Sequence, residues 1–319
     1  MAKAPGRNDR EGLTLFQVMS MFPDDATAEK WFEQQRWPEG IACPNCGSVN
    51  IQENAKHKTM AHRCRDCRKF FSVKVGTVMQ SSNLGYRIWA IAIYLLHTGI
   101  KGTSSMKLHR DLGIAYTSAW HLSHRIRECW SAKQEDEQEQ LEGPVEVDET
   151  FVGGKRANMS NAKRKELAGT GRGGLGSGKA AVVGLKDRDS NEVRAEVVQR
   201  TDAETMHGFI GKHTDADATV YTDDAKAYQS LPYEHEAVKH SASEYVRGDA
   251  HTNGIESFWS MFKRGHKGTY HQMSKKHLHR YVREFAGRHN ARDLDTVEQM
   301  SDMVPRMEHK RLRYKELTG

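Results

Sequence analysis

The chain has 319 residues, with 48 Lys and Arg against 42 Asp and Glu, a formal net charge of +6 and a pI near 8.9. That length suits two or three domains, and the basic balance favours a polyanionic partner. The start at 1–12 is polar and carries no secretory apolar stretch, and the longest apolar run, 88–96, falls far short of the roughly 18 residues of a membrane span. A membrane protein is therefore excluded, and a soluble protein of a reducing, cytoplasmic compartment is expected.

Residues 13–39 predict two helices. The first carries Leu15, Phe16, Val18, Met19 and Met21, and the second runs from Ala26 to Gln35 after the turn at Pro23-Asp24. Trp31, Phe32 and Trp37 are expected to cover the module that follows. That module holds two cysteine pairs, Cys43-Pro44-Asn45-Cys46 and Cys64-Arg65-Asp66-Cys67, separated by seventeen residues. Thiolates two residues apart on a tight turn both reach one tetrahedral metal at about 2.3 Å, and Pro44, Asn45 and Gly47 suit such a turn. Two turns facing each other close a four-sulfur structural zinc site with no open position for chemistry. Ser48 to Arg63 is long enough for a short hairpin, and Phe70 to Val73 reads as a closing strand. A disulfide pair or four unrelated buried cysteines fit the spacing less well. Cys129, alone in a helical stretch, reads as an ordinary small residue.

An apolar helix is predicted from Tyr86 to His97, then a cap at Thr103-Ser104-Ser105, a short helix through Arg110, a turn at Gly113, and a helix from Tyr116 to Trp130. Helix, glycine turn, helix is the helix-turn-helix pattern. Its second helix carries Thr117, Ser118, His121, Ser123, His124, Arg125 and Arg127, of which His121, Arg125 and Arg127 suit phosphates and base edges. An ordinary helical hairpin with a polar face is the alternative. An acidic link follows, Glu135 to Glu142.

Past the link, Val145 to Val152 alternates with period two and predicts a strand. Ala180 to Leu185 and Val193 to Gln199 predict two more, followed by a helix from Ala203 to His213 and a strand Ala218 to Thr222 ending at Asp223. Helices are predicted at Asn253 to Arg264 and Lys275 to Asn290. This order describes an α/β core. Gly169 to Gly174 imitates a dinucleotide fingerprint and Gly173 to Lys179 a P-loop, but no strand precedes the glycines and a strand follows Lys179. The stretch from Gly153 to Lys179 reads as a flexible basic loop.

Three acidic positions carry the candidate chemistry. Asp148 sits mid-strand opposite Val145 and Val147, where Asp is a poor strand former and is uncommon unless it binds something. Asp223 closes another strand. Glu256 shares a helical face with Asn253, Ser260 and Lys263, beside an apolar stripe of Ile255, Phe258, Trp259 and Phe262. Two strand carboxylates and one helical carboxylate suit a pair of hard cations, magnesium or manganese, that clamp attacking and leaving oxygens at phosphorus. Lys263 stands two helical turns on, where it can hold a phosphate. Asn253-Gly-Ile-Glu256 also reads as a capping box, and Glu149 and Asp224 compete for the catalytic positions. From Lys263 to Arg292 there are nine Lys or Arg against one acid, Glu284. Lys263, Arg264, Lys267, Lys275, Lys276 and Arg280 are candidate phosphate contacts, with a solvated helix face as the alternative.

The motifs Val-Asp-Glu-Thr-Phe-Val-Gly-Gly-Lys (147–155), Tyr-Thr-Asp-Asp-Ala-Lys-Ala-Tyr (221–228) and His-Thr-Asn-Gly-Ile-Glu-Ser-Phe-Trp-Ser-Met-Phe-Lys-Arg-Gly (251–265) resemble those of insertion-sequence DDE transposases. The group resembled joins an N-terminal zinc ribbon to an RNase H-like, ISXO-type core, and the likeness runs from about residue 15 to 292. It implies that Asp148 and Asp223 are the first two metal ligands, that Glu256 or Asn253 is the third position, and that Lys263 is the basic residue after it. The implied layout is helices and ribbon at 1–75, helix-turn-helix at 76–132, acidic linker at 133–144, catalytic core at 145–300 and a tail at 301–319. The implied activity is binding of terminal inverted repeats in double-stranded DNA, strand cleavage, and joining of 3′-hydroxyls to target DNA. Two ends imply a dimer or higher oligomer acting on bacterial nucleoid DNA. A structure-selective nuclease with the same core and a non-catalytic DNA-binding regulator are the competing classes.

Overall fold

The computed structural model describes residues 11–131, 139–153, 159–166, 178–238 and 251–319. The chain divides into two compact units, Met1–Ser131 with Ala291–Gly319, and Ala132–Asn290.

In the first unit, α1 (Leu15–Met21) starts at a capping box between Thr14 and Gln17. The helix α2 (Asp25–Arg36) starts at Asp24, whose carboxylate accepts the Thr27 N–H at 2.7 Å. The ribbon follows as three short antiparallel strands in spatial order, β1 (Ile51–Gln52), β2 (His62–Cys64) and β3 (Phe70–Phe71). Trp37 sets its ring edge-on to His62 and Phe71 and covers the ribbon, whereas Trp31 and Phe32 pack into the helical core instead. That core is built around α3 (Tyr86–Thr98), whose Trp89, Ile93 and Leu96 are fully buried. Then come α4 (Ser105–Leu112), stopped by Gly113 in the left-handed conformation (φ +63°), and α5 (Tyr116–Glu128).

The second unit is a five-stranded sheet with helices on both faces. Its strands are β4 (Val145–Val152), β5 (Ala180–Asp187), β6 (Val193–Val198), β7 (Thr219–Asp223) and β8 (Glu234–Val238), in spatial order β6-β5-β4-β7-β8. The pairs β4/β5 and β5/β6 are antiparallel, and β4/β7 and β7/β8 are parallel. Between β4 and β5 the short helix α6 (Asn161–Glu166) interrupts the stretch read as loop, and most of the rest of that stretch, like the first half of the acidic link, lies outside the described residues. One face buries Val145, Val147, Val183, Leu185 and Val220 against Met206, Phe209 and Ile210 of α7 (Ala203–His213). The other buries Val152, Val182 and Val193 against Ile255, Phe258, Trp259 and Phe262 of α8 (Asn253–Gly265) and Tyr281, Val282 and Phe285 of α9 (Leu278–Asn290). Alternate residues of each strand serve opposite faces, as a two-residue period requires.

The expected core boundary at 300 is corrected by the packing. The chain re-enters the first unit at Ala291, where α10 (Thr296–Met303) buries Met300 and Met303 in the helical core and α11 (Tyr314–Thr318) closes the chain. Thr296 N–H bonds to the Glu11 carbonyl, Val78 N–H to that of Met307, and Arg36 pairs with Glu308 at 2.7 Å. The segment read as a tail is thus structural.

The closest approach of helix to sheet is at Gly184. A Cβ there would lie 2.6 Å from Trp259 Cζ2 and 2.9 Å from Cη2. Gly184→Ala is expected to force the indole out and destabilise the protein by about 1–3 kcal/mol, despite the smaller backbone entropy of Ala. A urea unfolding midpoint equal to wild type would show that α8 does not rest on this residue.

Candidate active site

The four cysteines of the ribbon come together. Cys43 and Cys67 Sγ lie 3.6 Å apart, Cys46 and Cys64 Sγ 3.7 Å apart, and all four ligating atoms lie within 4.8 Å of one another. A tetrahedron of sulfurs about 2.3 Å from a zinc has edges of roughly 3.8 Å, so the spacing fits that ion. The backbone N–H of Cys67 points at Cys64 Sγ at 3.4 Å and is the main cause holding the Cys64 thiol down to about 7, toward the thiolate a metal needs. Four protein sulfurs leave no position for substrate, so this centre is structural.

The carboxylates gather on the sheet of the second unit. In the parallel pair, Val145 aligns with Val220 and Glu146 with Tyr221. Asp148 and Asp223 each follow the second of these pairs by two residues. Val145, Val147 and Val220 face α7, so Asp148 and Asp223 project from the opposite face, toward α8. Burial first, and then the carboxylates of Glu149, Asp223 and Glu256, push Asp148 up to about 7, against the stabilising Glu149 N–H at 2.8 Å. Asp223 accepts the Ala225 N–H at 3.0 Å. Among the described residues, the cysteine cluster is the one group of three or more such ligands gathered in this way.

The competing acids separate by face. Glu149 lies on the α7 side, where its carboxylate accepts the Tyr228 hydroxyl at 2.7 Å, as alternation requires. Asp224 is exposed beyond the strand end. The capping box read at Asn253 and Glu256 does not form, because the helix starts one residue earlier, with Thr252 at the N-cap and Asn253 already helical. Glu256 instead accepts the Thr252 hydroxyl at 3.0 Å, and Asn253, Glu256, Ser260 and Lys263 line one exposed face of α8.

The basic candidates also divide. Lys263, Arg264, Lys267, Lys275 and Lys276 are exposed, and Arg280 is half-buried with its guanidinium 3.1 Å from His277 Nδ1. On α5 the expectation of DNA contacts is corrected for two residues: Arg125 and Arg127 are 6% and 1% exposed. Arg125 donates to the carbonyls of Gln80 and Leu312, and Arg127 to Ser123 Oγ. The segment before α11 covers this helix, and His121, half-buried, bonds the Leu312 carbonyl through Nε2 at 2.9 Å. Sequence reasoning also missed Glu146, Arg188, His251 and Tyr228. For Glu146 a signal existed, since it shares the face of Asp148 two residues away. For Arg188, at the end of a hairpin, none did.

Residues 140–290 match the ISXO2-like transposase domain, and residues 23–70 match the transposase zinc-ribbon domain. In both segments the chain is thus similar to transposase domains. An uncharacterised protein in transposable element ISH50 of Halobacterium salinarum is 29% identical over 279 residues, covering 83% of this chain and 90% of that protein. The transposase domain ends where the second unit ends, at residue 290, and the zinc-ribbon match falls wholly within the first unit. Among the described residues no helix of this chain is long and apolar enough to cross a membrane.

One zinc per chain is expected by metal analysis of the purified protein. Cys64→Ser should lose nearly all of it and lower the melting temperature, because binding energy at such a site is folding energy. Full zinc occupancy in that variant would refute the four-sulfur assignment.

Proposed function

We propose that the second unit is an RNase H-like catalytic core, that Asp148, Asp223 and Glu256 are its metal-binding acids, and that it cleaves and joins DNA strands at the ends of its own insertion sequence. The observation that carries the reading is the parallel pairing of β4 with β7 two residues before Asp148 and Asp223, with Asp223 and Glu256 both close enough to raise Asp148. The sheet order, with two antiparallel strands on one side and two parallel on the other of β4, supports the core type. The weaker affinity of an amide for a hard cation favours Glu256 over Asn253 as the third ligand.

The donor set fits hard divalent cations, being all oxygen, partly buried and crowded with like charge. Magnesium or manganese bound there supplies Lewis-acid stabilisation of the charge that develops on the phosphoryl oxygens. The protein's own residues hold and orient the DNA. Lys263, about two turns along the α8 face from Glu256, pairs with a phosphate, and Arg264, Lys267, Lys275 and Lys276 continue the cationic track along the backbone. Water attacks phosphorus at the element end, the bond from phosphorus to O3′ breaks, and a 3′-hydroxyl is released. That hydroxyl then attacks a target phosphodiester, exchanging one P–O bond for another without ATP or a covalent enzyme intermediate. The ribbon, with the exposed start of α5 at Tyr116 and Thr117, binds the terminal inverted repeats, and two ends engage at least two copies of the chain.

Asp148→Asn and Asp223→Asn are expected to lower strand cleavage by on the order of 10³-fold while leaving end binding near wild type. Cleavage at the wild-type rate in either variant refutes the site. Transfer of pre-cleaved ends to a second duplex distinguishes a transposase from a nuclease that only cuts. Lys267→Ala should weaken DNA binding evenly across sequences and reduce the slope of log K against log salt by about 1. An unchanged slope would remove Lys267 from the track.

A further inference from the structure

Glu146 is a carboxylate in the wrong place unless it is held: its side chain is 2% exposed in the middle of a sheet. It is held on every side. Oε2 accepts the Ile255 N–H at 2.9 Å, and Oε1 takes Arg188 Nε at 2.9 Å and lies 3.2 Å from His251 Nδ1. Arg188 in turn donates to the His251 carbonyl at 2.6 Å and lies over the Tyr221 ring at 4.0 Å. These contacts touch each backbone that carries a proposed ligand. Glu146 precedes Asp148 by two residues on β4, Tyr221 precedes Asp223 by two on β7, and Ile255 immediately precedes Glu256 on α8.

The start of α8 depends on this cluster. Thr252 makes no side-chain capping bond, so the orphan N–H of Ile255 is satisfied by an acid more than a hundred residues away in sequence. Gly254 makes room for it, since a Cβ there would lie 2.7 Å from Glu146 Oε2 and 2.9 Å from Lys186 Nζ. A local cap would fix where the helix starts. A cap borrowed from β4 also fixes where the helix stands relative to Asp148.

We propose that Glu146 is the positioning residue of the carboxylate site, clamping β4, β7 and the α8 N-terminus together through Arg188 and His251, and thereby setting the affinity for divalent cations. This rests on the reading of Asp148, Asp223 and Glu256 as cation ligands. Residues behind metal ligands typically change affinity about 10–100-fold when lost.

The test measures Mn²⁺ affinity of the full-length protein by calorimetry without DNA, and the Mn²⁺ concentration giving half-maximal strand cleavage. Glu146→Ala is expected to raise both about 10–100-fold, with cleavage recovering at saturating Mn²⁺ and end binding unchanged. Glu146→Gln keeps the size and an acceptor for Ile255, and should fall between Ala and wild type. Gly254→Ala, which crowds the same carboxylate, should move Mn²⁺ affinity in the same direction and serves if Glu146→Ala does not fold. A lower melting temperature in folded Glu146→Gln and Gly254→Ala with wild-type Mn²⁺ affinity would overturn the inference and leave Glu146 merely structural. Asp148→Asn is the control. If it too binds Mn²⁺ and cleaves as wild type does, the ligand reading itself falls.

Discussion

Crowding of like charge on one face of a sheet is the constraint on which the second unit is built. Moving Asp148 from its usual 3.8 to about 7 disfavours its ionised form by roughly 4 kcal/mol. The sign is that of a raised acid. The penalty is absent below the unfolded value near 4, grows as pH rises, and is complete above about 7. A fold under no functional demand would replace such a group, since folded domains are stable by only about 5–15 kcal/mol. A cation bound at this face, as proposed, would offset the repulsion, and by linkage whatever binds the folded state there stabilises it.

Repelling groups stay together only if the backbones beneath them cannot move apart. Two devices accomplish this on opposite faces of β4. On the α7 face, Tyr228 donates to Glu149 and keeps that acid turned from its neighbours. On the α8 face, close approach works together with the Glu146 hydrogen bonds. Gly184 sits opposite Asp148 in the β4/β5 register and admits the Trp259 indole against the sheet, and Gly254 admits Glu146 to the helix end. Both glycines lie where α8 comes nearest to the sheet, so the missing Cβ atoms set its height above Asp148. The positive end of the helix dipole then faces Glu146, a favourable arrangement for an acid at a first turn.

What could be read from the sequence follows from how local its cause is. Cys43, Cys46, Cys64 and Cys67 were legible because two turns and a spacing carry the whole argument. Asp148, Asp223 and Glu256 were legible as candidates because strand alternation and helical periodicity assign faces before any tertiary contact is known. The strand β8 was not, since Glu-His-Glu-Ala-Val (234–238) is a polar edge with no apolar alternation. The capping box failed for a different reason. Asn253 and Glu256 have the right spacing, but the helix begins at Thr252 and a remote carboxylate takes the Ile255 N–H. Arg125 and Arg127 misled because a guanidinium that will donate to buried carbonyls has the same composition as one that will meet a phosphate. Nothing short of knowing that 311–314 lies across α5 distinguishes them.

Losing Arg125 and Arg127 from the DNA-facing set sharpens the electrostatic problem on the proposed core. A phosphodiester brought to three carboxylates meets repulsion of about 3 kcal/mol per pair at 6 Å in a medium of effective dielectric 20. Cations must therefore stand in the same unit, near the acids and exposed. Lys263 and Lys267 meet that requirement on α8 and the π-helical turn that extends it (His266–Tyr270), and Lys275 and Lys276 on the turn that opens α9. The π-helical turn is itself tied down, with Tyr270 donating to Glu284, a fully buried acid of α9 that also pairs with Arg288. Glu284 is the single acid of the basic stripe, and its burial removes its charge from the surface. The exposed lysines thus stand without a competing exposed carboxylate from their own segment, which is what the proposed nucleic-acid track beside an acidic centre requires.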